Sequence, residues 1–149
     1  MKIISIYHLI LMKELYLNKL RENNLKLTPK RIAIIDFFLS KDRYLTPMSV
    51  WKGLKGEFKQ LGLPSIYRNL ELFSKFGILT KIQRPDRKLY YGLCNSKNKH
   101  HHHIICIECG KVEVFYDCDL FMKKKFNEFK ILSHSLQIDG ICPQCRSKS

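Results

Sequence analysis

The spacing Cys-x2-Cys-x32-Cys-x2-Cys, made by Cys106, Cys109, Cys142 and Cys145, constrains this chain more than any other feature. Two intervening residues let both thiolates of one knuckle reach the same ion. Two knuckles then complete a closed, soft, tetrahedral donor set that suits Zn2+ and leaves no open coordination position. Such a site is structural rather than catalytic. The remaining possibility is a set of thiols that become disulfides on oxidation, but paired Cys-x-x-Cys spacing without a convincing export signal reads better as zinc. All six cysteines lie at or after Cys94. The last third of the chain is too small to build much core alone, and small modules commonly need a metal or a partner.

Charge is distributed the other way. The 149 residues carry a net charge of +14, and residues 1–93 hold 18 Lys and Arg against 7 Asp and Glu, whereas 94–149 hold 9 against 6. A polyanion, either nucleic acid or an acidic membrane surface, is therefore expected to meet the first two-thirds, the alternative being a generally basic, solvated surface. The opening "MKIISIYHLIL" has an apolar run but no small-residue cleavage site, and it is too short to span a bilayer. An N-terminal helix extension or a misassigned start is expected there, and a cytoplasmic protein.

The apolar periodicity predicts a short amphipathic helix over 12–23, with Leu15, Leu17 and Leu20 inward. In "LTPKRIAIIDFFL" Thr28 caps, Pro29 starts the helix, and Ile32, Ile35, Phe38 and Leu39 form its buried stripe. "LTPMSVWKGLKGEF" repeats the pattern with Thr46, Pro47, Val50, Trp51 and Leu54. "PSIYRNLELFSKFG" places Ile66, Leu70 and Phe73 inward and stops at Gly77. "ILTKIQ" and "KLYYGL" then flank the turn "RPDR". Three helices followed by a basic hairpin are the order of a winged helix-turn-helix. "CNSKNK" reads as a hinge. Beyond it, two strands bend around the first cysteine knuckle, "CDLFMKKKFNEF" reads as a helix, and "ILSHSLQIDGIC" as a strand leading to the second knuckle.

Ahead of the first knuckle stands "KHHHHIIC". On an extended strand, neighbours point to opposite faces, so His101 and His103 share one side and His100 and His102 the other. One run can then serve two metal sites, or remain a passive polar loop. Cys94, His134, Asp117 and Asp119 are further candidate ligands. A Cys-His-His set favours zinc; three histidines with a carboxylate suit Zn2+, Fe2+ or Mn2+. The zinc-deaminase signature fails, because His103 is followed by Ile104 and Ile105, and Pro143 lies inside the second pair. No open metal position beside a general base is evident, so an enzyme is not expected.

Taken together, "LKLTPKRIAIIDFF", "LPSIYRNLELFSKFGILTK", "HHHHIICIECGKVEVF" and "HSLQIDGICPQC" resemble the ferric uptake regulator family of bacterial metal-responsive repressors, over roughly Leu15 to Cys145. The resemblance implies an α+β chain. A winged-helix DNA-binding domain would occupy 1–92 (with 1–11 an extension), a hinge 93–99, and a small α/β dimerisation and metal-binding domain 100–149. It also implies a homodimer, a palindromic double-stranded operator, no membrane, and a metal corepressor. The cysteines match its structural zinc site. Helix Pro64–Phe76 matches the recognition helix, with Ser65, Tyr67, Arg68 and Asn69 near its DNA-facing end. Tyr67 would meet a thymine methyl and Arg68 a phosphate or guanine, while Lys30, Arg31, Arg84, Arg87 and Lys88 would supply phosphate contacts.

Tyr44 and Val114 stand where iron- and peroxide-sensing branches usually carry a histidine and an acidic residue. Cys94 with His101 and His103 is instead similar to the hinge of zinc uptake regulators, although Thr80 occupies the place of their usual aspartate. A second regulatory site would take His100, His102 and His134, with Asp117 as its acidic partner. The expected function is a metal-dependent transcriptional repressor, with zinc the favoured effector. The alternatives are an iron- or peroxide-responsive regulator of the same family, or a constitutive zinc-ribbon nucleic-acid binder.

Overall fold

Prolines mark where the helices start. Proline lacks the N–H that a first-turn residue leaves unpaired anyway, so Pro29, Pro47 and Pro64 each suit the beginning of a helix. In the computed structural model α1 spans Ile6–Glu22, α2 Pro29–Lys41, α3 Pro47–Leu54 and α4 Leu63–Lys75. The structure describes residues 6–41, 43–94, 100–116, 129–132, 134 and 136–148. The chain divides into two compact units, Met1–Gln83 with Arg87–Cys94, and Arg84–Asp86 with Asn95–Ser149.

In the first unit, Thr46 Oγ1 accepts from the Ser49 N–H at 3.2 Å and Thr28 Oγ1 from the Arg31 N–H at 3.3 Å, as the capping pattern requires. Ile34, Ile35, Phe38, Val50, Leu54, Ile66, Leu70 and Phe73 bury one core between these helices. Three expectations need correcting. Leu15 is 46% exposed and Tyr16 takes the inward place; its ring is fully buried and its hydroxyl donates to the Cys94 carbonyl at 3.4 Å. Ile32, Leu39 and Trp51 lie only at the rim of the core, while Ile34 is completely enclosed. A tyrosine can bury its ring where its hydroxyl finds an acceptor, which an apolar count overlooks. Helix α1 also begins further upstream than the 12–23 expectation, and Ile6, Tyr7, Ile10 and Leu11 are exposed on its first turns.

The wing is an antiparallel pair, β1 (Leu79–Gln83) with β2 (Leu89–Leu93), in the register Leu79↔Leu93 to Gln83↔Leu89. Leu45 adds a bridge, exchanging both backbone hydrogen bonds with Tyr91 at 2.8 Å. The wing is tied to α4 through Glu71, which accepts from the Tyr91 hydroxyl and pairs with Lys81 at 2.8 Å. Those two bonds, Lys81 foremost, hold the Glu71 carboxyl below its ordinary range.

The second unit is built on a three-stranded sheet in the order β4-β3-β5. β3 (His102–Cys106) pairs antiparallel with β4 (Val112–Phe115) and parallel with β5 (Gln137–Gly140), and a short helix α5 (Pro143–Arg146) follows. Ile105, Cys106 and His102 are its buried residues among those described. The expected helix "CDLFMKKKFNEF" lies outside the described residues except for its last, Phe129, which is exposed and not helical; Asp117 and Asp119 also lie outside them. No described helix is long and apolar enough to cross a membrane. Mixed helix and sheet, with a winged helix ahead of a small unit bearing four clustered cysteines, is the α+β architecture expected above.

Between α4 and β1 the chain turns through a Schellman motif. Gly77 sits at φ +67°, its N–H donates to the Ser74 carbonyl at 3.1 Å, and the Ile78 N–H donates to Phe73 at 2.9 Å. A side chain at that φ is strained, so Gly77→Ala lowers unfolding free energy by about 1 kcal/mol. Urea denaturation followed by circular dichroism checks this; an unchanged midpoint would contradict the left-handed turn.

Candidate metal centres and nucleic-acid interface

The first knuckle is shaped by the end of β3. Gly110 adopts φ +73°, which lets its N–H return to the Cys106 carbonyl at 2.9 Å, and the Cys106 N–H donates to the Lys111 carbonyl at 2.8 Å. The second knuckle opens α5. Cys142 caps that helix, and its carbonyl accepts from Cys145 at 3.1 Å and from Arg146 at 2.9 Å. The knuckles meet because the Cys142 N–H donates to Cys106 Sγ at 3.3 Å. All four Sγ atoms lie within 4.8 Å of one another, with Cys109 and Cys142 3.8 Å apart. Thiolates about 2.3 Å from one tetrahedral ion would be about 3.8 Å apart, so the cluster fits zinc. The thiols are free rather than bridged.

Electrostatics favour the same use. Backbone N–H donation from Cys109 and Cys142 draws the Cys106 thiol down to about 6. Hydrogen bonds with Cys142 and Cys109 push Cys145 up to about 12. Four sulfurs this close cannot all ionise without a cation among them.

A second cluster forms on one face of the sheet. Nε2 of His100 lies 3.1 Å from that of His102 and 2.9 Å from that of His134, and His102 and His134 are 3.3 Å apart. Ligands about 2.0–2.1 Å from one ion, at angles of about 90–110°, are about 2.9–3.4 Å apart, so the three imidazoles also fit a shared metal. Burial holds His102 below its ordinary range, with the neighbouring histidines adding to the effect. A neutral imidazole is the form that ligates. The expected fourth ligand, Asp117, lies outside the described residues.

On the opposite face, the rings of His101 and His103 meet edge to face with centroids 4.9 Å apart. Burial, then His101 and His102, holds His103 at about 4. Cys94, their expected partner, belongs to the first unit, where it is buried and its N–H donates to the Ile78 carbonyl at 3.0 Å.

In the first unit, α4 turns Ile66, Leu70 and Phe73 inward, and this leaves Tyr67 and Arg68 exposed on its outer side. Arg87 and Lys88, at the hairpin turn, are also exposed, while Lys30 and Ser65 are half-buried. Arg84 is grouped with the second unit. Arg31 and Asn69 are bonded to each other, Nε to Oδ1 at 3.1 Å. Sequence reasoning missed that pairing, because periodicity reports which face a residue occupies and not which residue it meets across elements.

The family model for the ferric uptake regulator family matches residues 22–139. The ferric uptake regulation protein of Bordetella parapertussis is 35% identical over 134 residues, covering 87% of this chain and 95% of that protein. Among solved structures, the ferric uptake regulator from Francisella tularensis with iron superposes with a TM-score of 0.61 at 30% identity, covering 82% of this chain and 95% of that one. A zinc uptake regulator complexed with zinc and DNA superposes with a TM-score of 0.68 over 92% of this chain and 96% of that one; at 19% identity the likeness is one of fold alone. The match takes in the winged unit from α2 onward and the first cysteine knuckle, and the chain belongs to the ferric uptake regulator family.

Proposed function

We propose that this chain is a metal-responsive, sequence-specific DNA-binding repressor, acting in the cytoplasm as a homodimer on a palindromic operator. The observation that carries the reading is the convergence of three Nε2 atoms, from His100, His102 and His134, in a unit that already has a separate four-cysteine cluster. A fold held by one zinc has no need of a second set of ligands, whereas a sensor does.

Cys106, Cys109, Cys142 and Cys145 would hold the structural zinc. His100, His102 and His134 would hold the effector, with Asp117 the fourth candidate from the sequence. Cys94, His101 and His103 would form a further regulatory site at the hinge, and zinc is favoured because that set includes a cysteine; Fe2+ and Mn2+ suit the histidine donors as well. The cation supplies charge and a fixed anchor for its ligands, and nothing more is asked of it. The DNA contacts fall to the first unit, with Arg84 of the second unit the one exception among the candidate residues. The exposed face of α4 would enter the major groove, with Tyr67 against a thymine methyl and Arg68 on guanine or phosphate. Lys30, Arg31, Arg84, Arg87 and Lys88 would neutralise phosphates, with Ser65 and Asn69 beside the reading face.

Two outcomes are expected. Cys142→Ser removes the tightly held zinc, and the protein then shows an additional unfolding transition at low urea; retention of one zinc per chain in a Cys142→Ser/His102→Ala variant, by elemental analysis, would rule out the four-cysteine assignment. For the effector, an operator is selected from random duplex DNA, and Zn2+, Fe2+ and Mn2+ are titrated into protein that keeps its structural zinc. Affinity rises roughly tenfold or more with the active ion, and His102→Ala abolishes that rise while leaving zinc in the cysteine cluster. Operator affinity indifferent to every ion and to a mild chelator would leave a constitutive binder instead. A response to Fe2+ alone would favour the iron- or peroxide-sensing branch over the zinc one.

A further inference from the structure

One arginine–asparagine pair ties the reading helix to α2. Asn69 is half-buried on the second turn of α4, and both ends of its amide are engaged. Its Oδ1 accepts from Arg31 Nε at 3.1 Å, and its Nδ2 donates to the Ser65 carbonyl at 2.8 Å. The orientation of that amide follows from chemistry, since Arg31 Nε can only donate and a backbone carbonyl can only accept. Arg31 is fixed a second time by Nη1, which donates to the Lys26 carbonyl at 2.8 Å. Two of its three nitrogens, facing two different partners, set the plane of the guanidinium, and the Nη2 edge of the fork is left for a ligand.

An asparagine that reads adenine needs its carbonyl and its amino group together for the base edge. Here each already makes one bond within the protein, and those two bonds fix the direction in which the amide faces. A planar guanidinium held by its Nε and Nη1 is pre-organised to donate to a phosphate oxygen, because less rotamer freedom is lost on binding. We propose that Arg31 is a pre-set phosphate clamp at the junction of α2 and α4, and that Asn69 is its positioning residue rather than a reader of bases. The proposal rests on the DNA-binding reading above and divides the residues of that surface into two roles. Tyr67 and Arg68, exposed on the outer side of α4, read sequence; Arg31 and Asn69 fix where the helix lies along the backbone.

The test uses the full-length, metal-loaded protein and begins with selection from random duplex DNA. Failure to enrich any sequence overturns the DNA-binding reading itself, before this proposal is reached. With an operator in hand, wild type, Arg31→Ala, Arg31→Lys, Asn69→Ala and the Arg31→Ala/Asn69→Ala pair are compared. Each is measured by fluorescence anisotropy on the operator and a panel of single base-pair variants, across a salt series. Arg31→Ala weakens binding about tenfold and makes the slope of log K against log salt shallower by about 1. Asn69→Ala weakens binding by a similar factor on every panel member, so base preferences are unchanged, and the double variant is no weaker than Arg31→Ala alone. Arg31→Lys keeps the charge and the slope yet loses most of the affinity, because an ammonium cannot satisfy both protein acceptors and a phosphate in one plane. Unfolding midpoints measured alongside separate loss of fold from loss of contact, and the lysine variant carries the test if Asn69→Ala folds poorly. Relaxed preference at one base pair in Asn69→Ala, full additivity in the double variant, or wild-type binding by Arg31→Lys overturns the proposal.

Discussion

The parallel pairing of β3 with β5 is the constraint on which the second unit depends. Its register sets His103 beside Gln137 and Cys106 beside Gly140. From that ladder the chain reaches Cys142 two residues beyond Gly140, within hydrogen-bonding distance of Cys106. In the other direction it reaches His134 three residues before Gln137, where its Nε2 closes on His100 and His102. Both candidate centres are therefore assembled by one strand pair. A sheet this small buries little apolar surface, and a metal held by either set of ligands would supply what a larger core otherwise provides.

The first unit follows a different economy. Its stability comes from ordinary packing between four helices, with the wing pinned by Leu45 and by the Glu71–Tyr91–Lys81 cluster. That frees the outer side of α4 to carry a tyrosine and an arginine in solvent, where a recognition surface needs them. On the DNA-binding reading proposed above, the excess of positive charge in residues 1–93 would act over distance, while the exposed side chains would act on contact.

How far the sequence discloses this arrangement depends on the kind of signal. The cysteine knuckles were legible because a two-residue spacing has a geometric consequence that needs no knowledge of the fold. Strand alternation likewise separates His100 and His102 from His101 and His103. Helix caps and the Gly77 stop were legible through backbone chemistry. The parallel direction of β5 was not, since strand residues look alike whichever way their neighbour runs. Tyr16 was overlooked in favour of Leu15, because its burial depends on an acceptor 78 residues away at Cys94. The Arg31–Asn69 bond was hidden for a similar reason: basic residues near a recognition helix invite assignment to DNA, and only the fold reveals that one of them also braces its neighbour.

β3 presents His102 at its first position and Cys106 at its last, both on the same side of the sheet and both buried. An even number of steps separates them, and strand alternation makes that parity binding. Losing or gaining one residue between them would swing one donor to the reverse side while its companion stayed in place, dismantling one cluster or the other. Descendants of such a chain can trade the identity of a donor by point substitution, but insertions and deletions in this strand are closed to them. Drift in metal preference within this architecture is therefore expected to proceed by swapping side chains on a frame of invariant length.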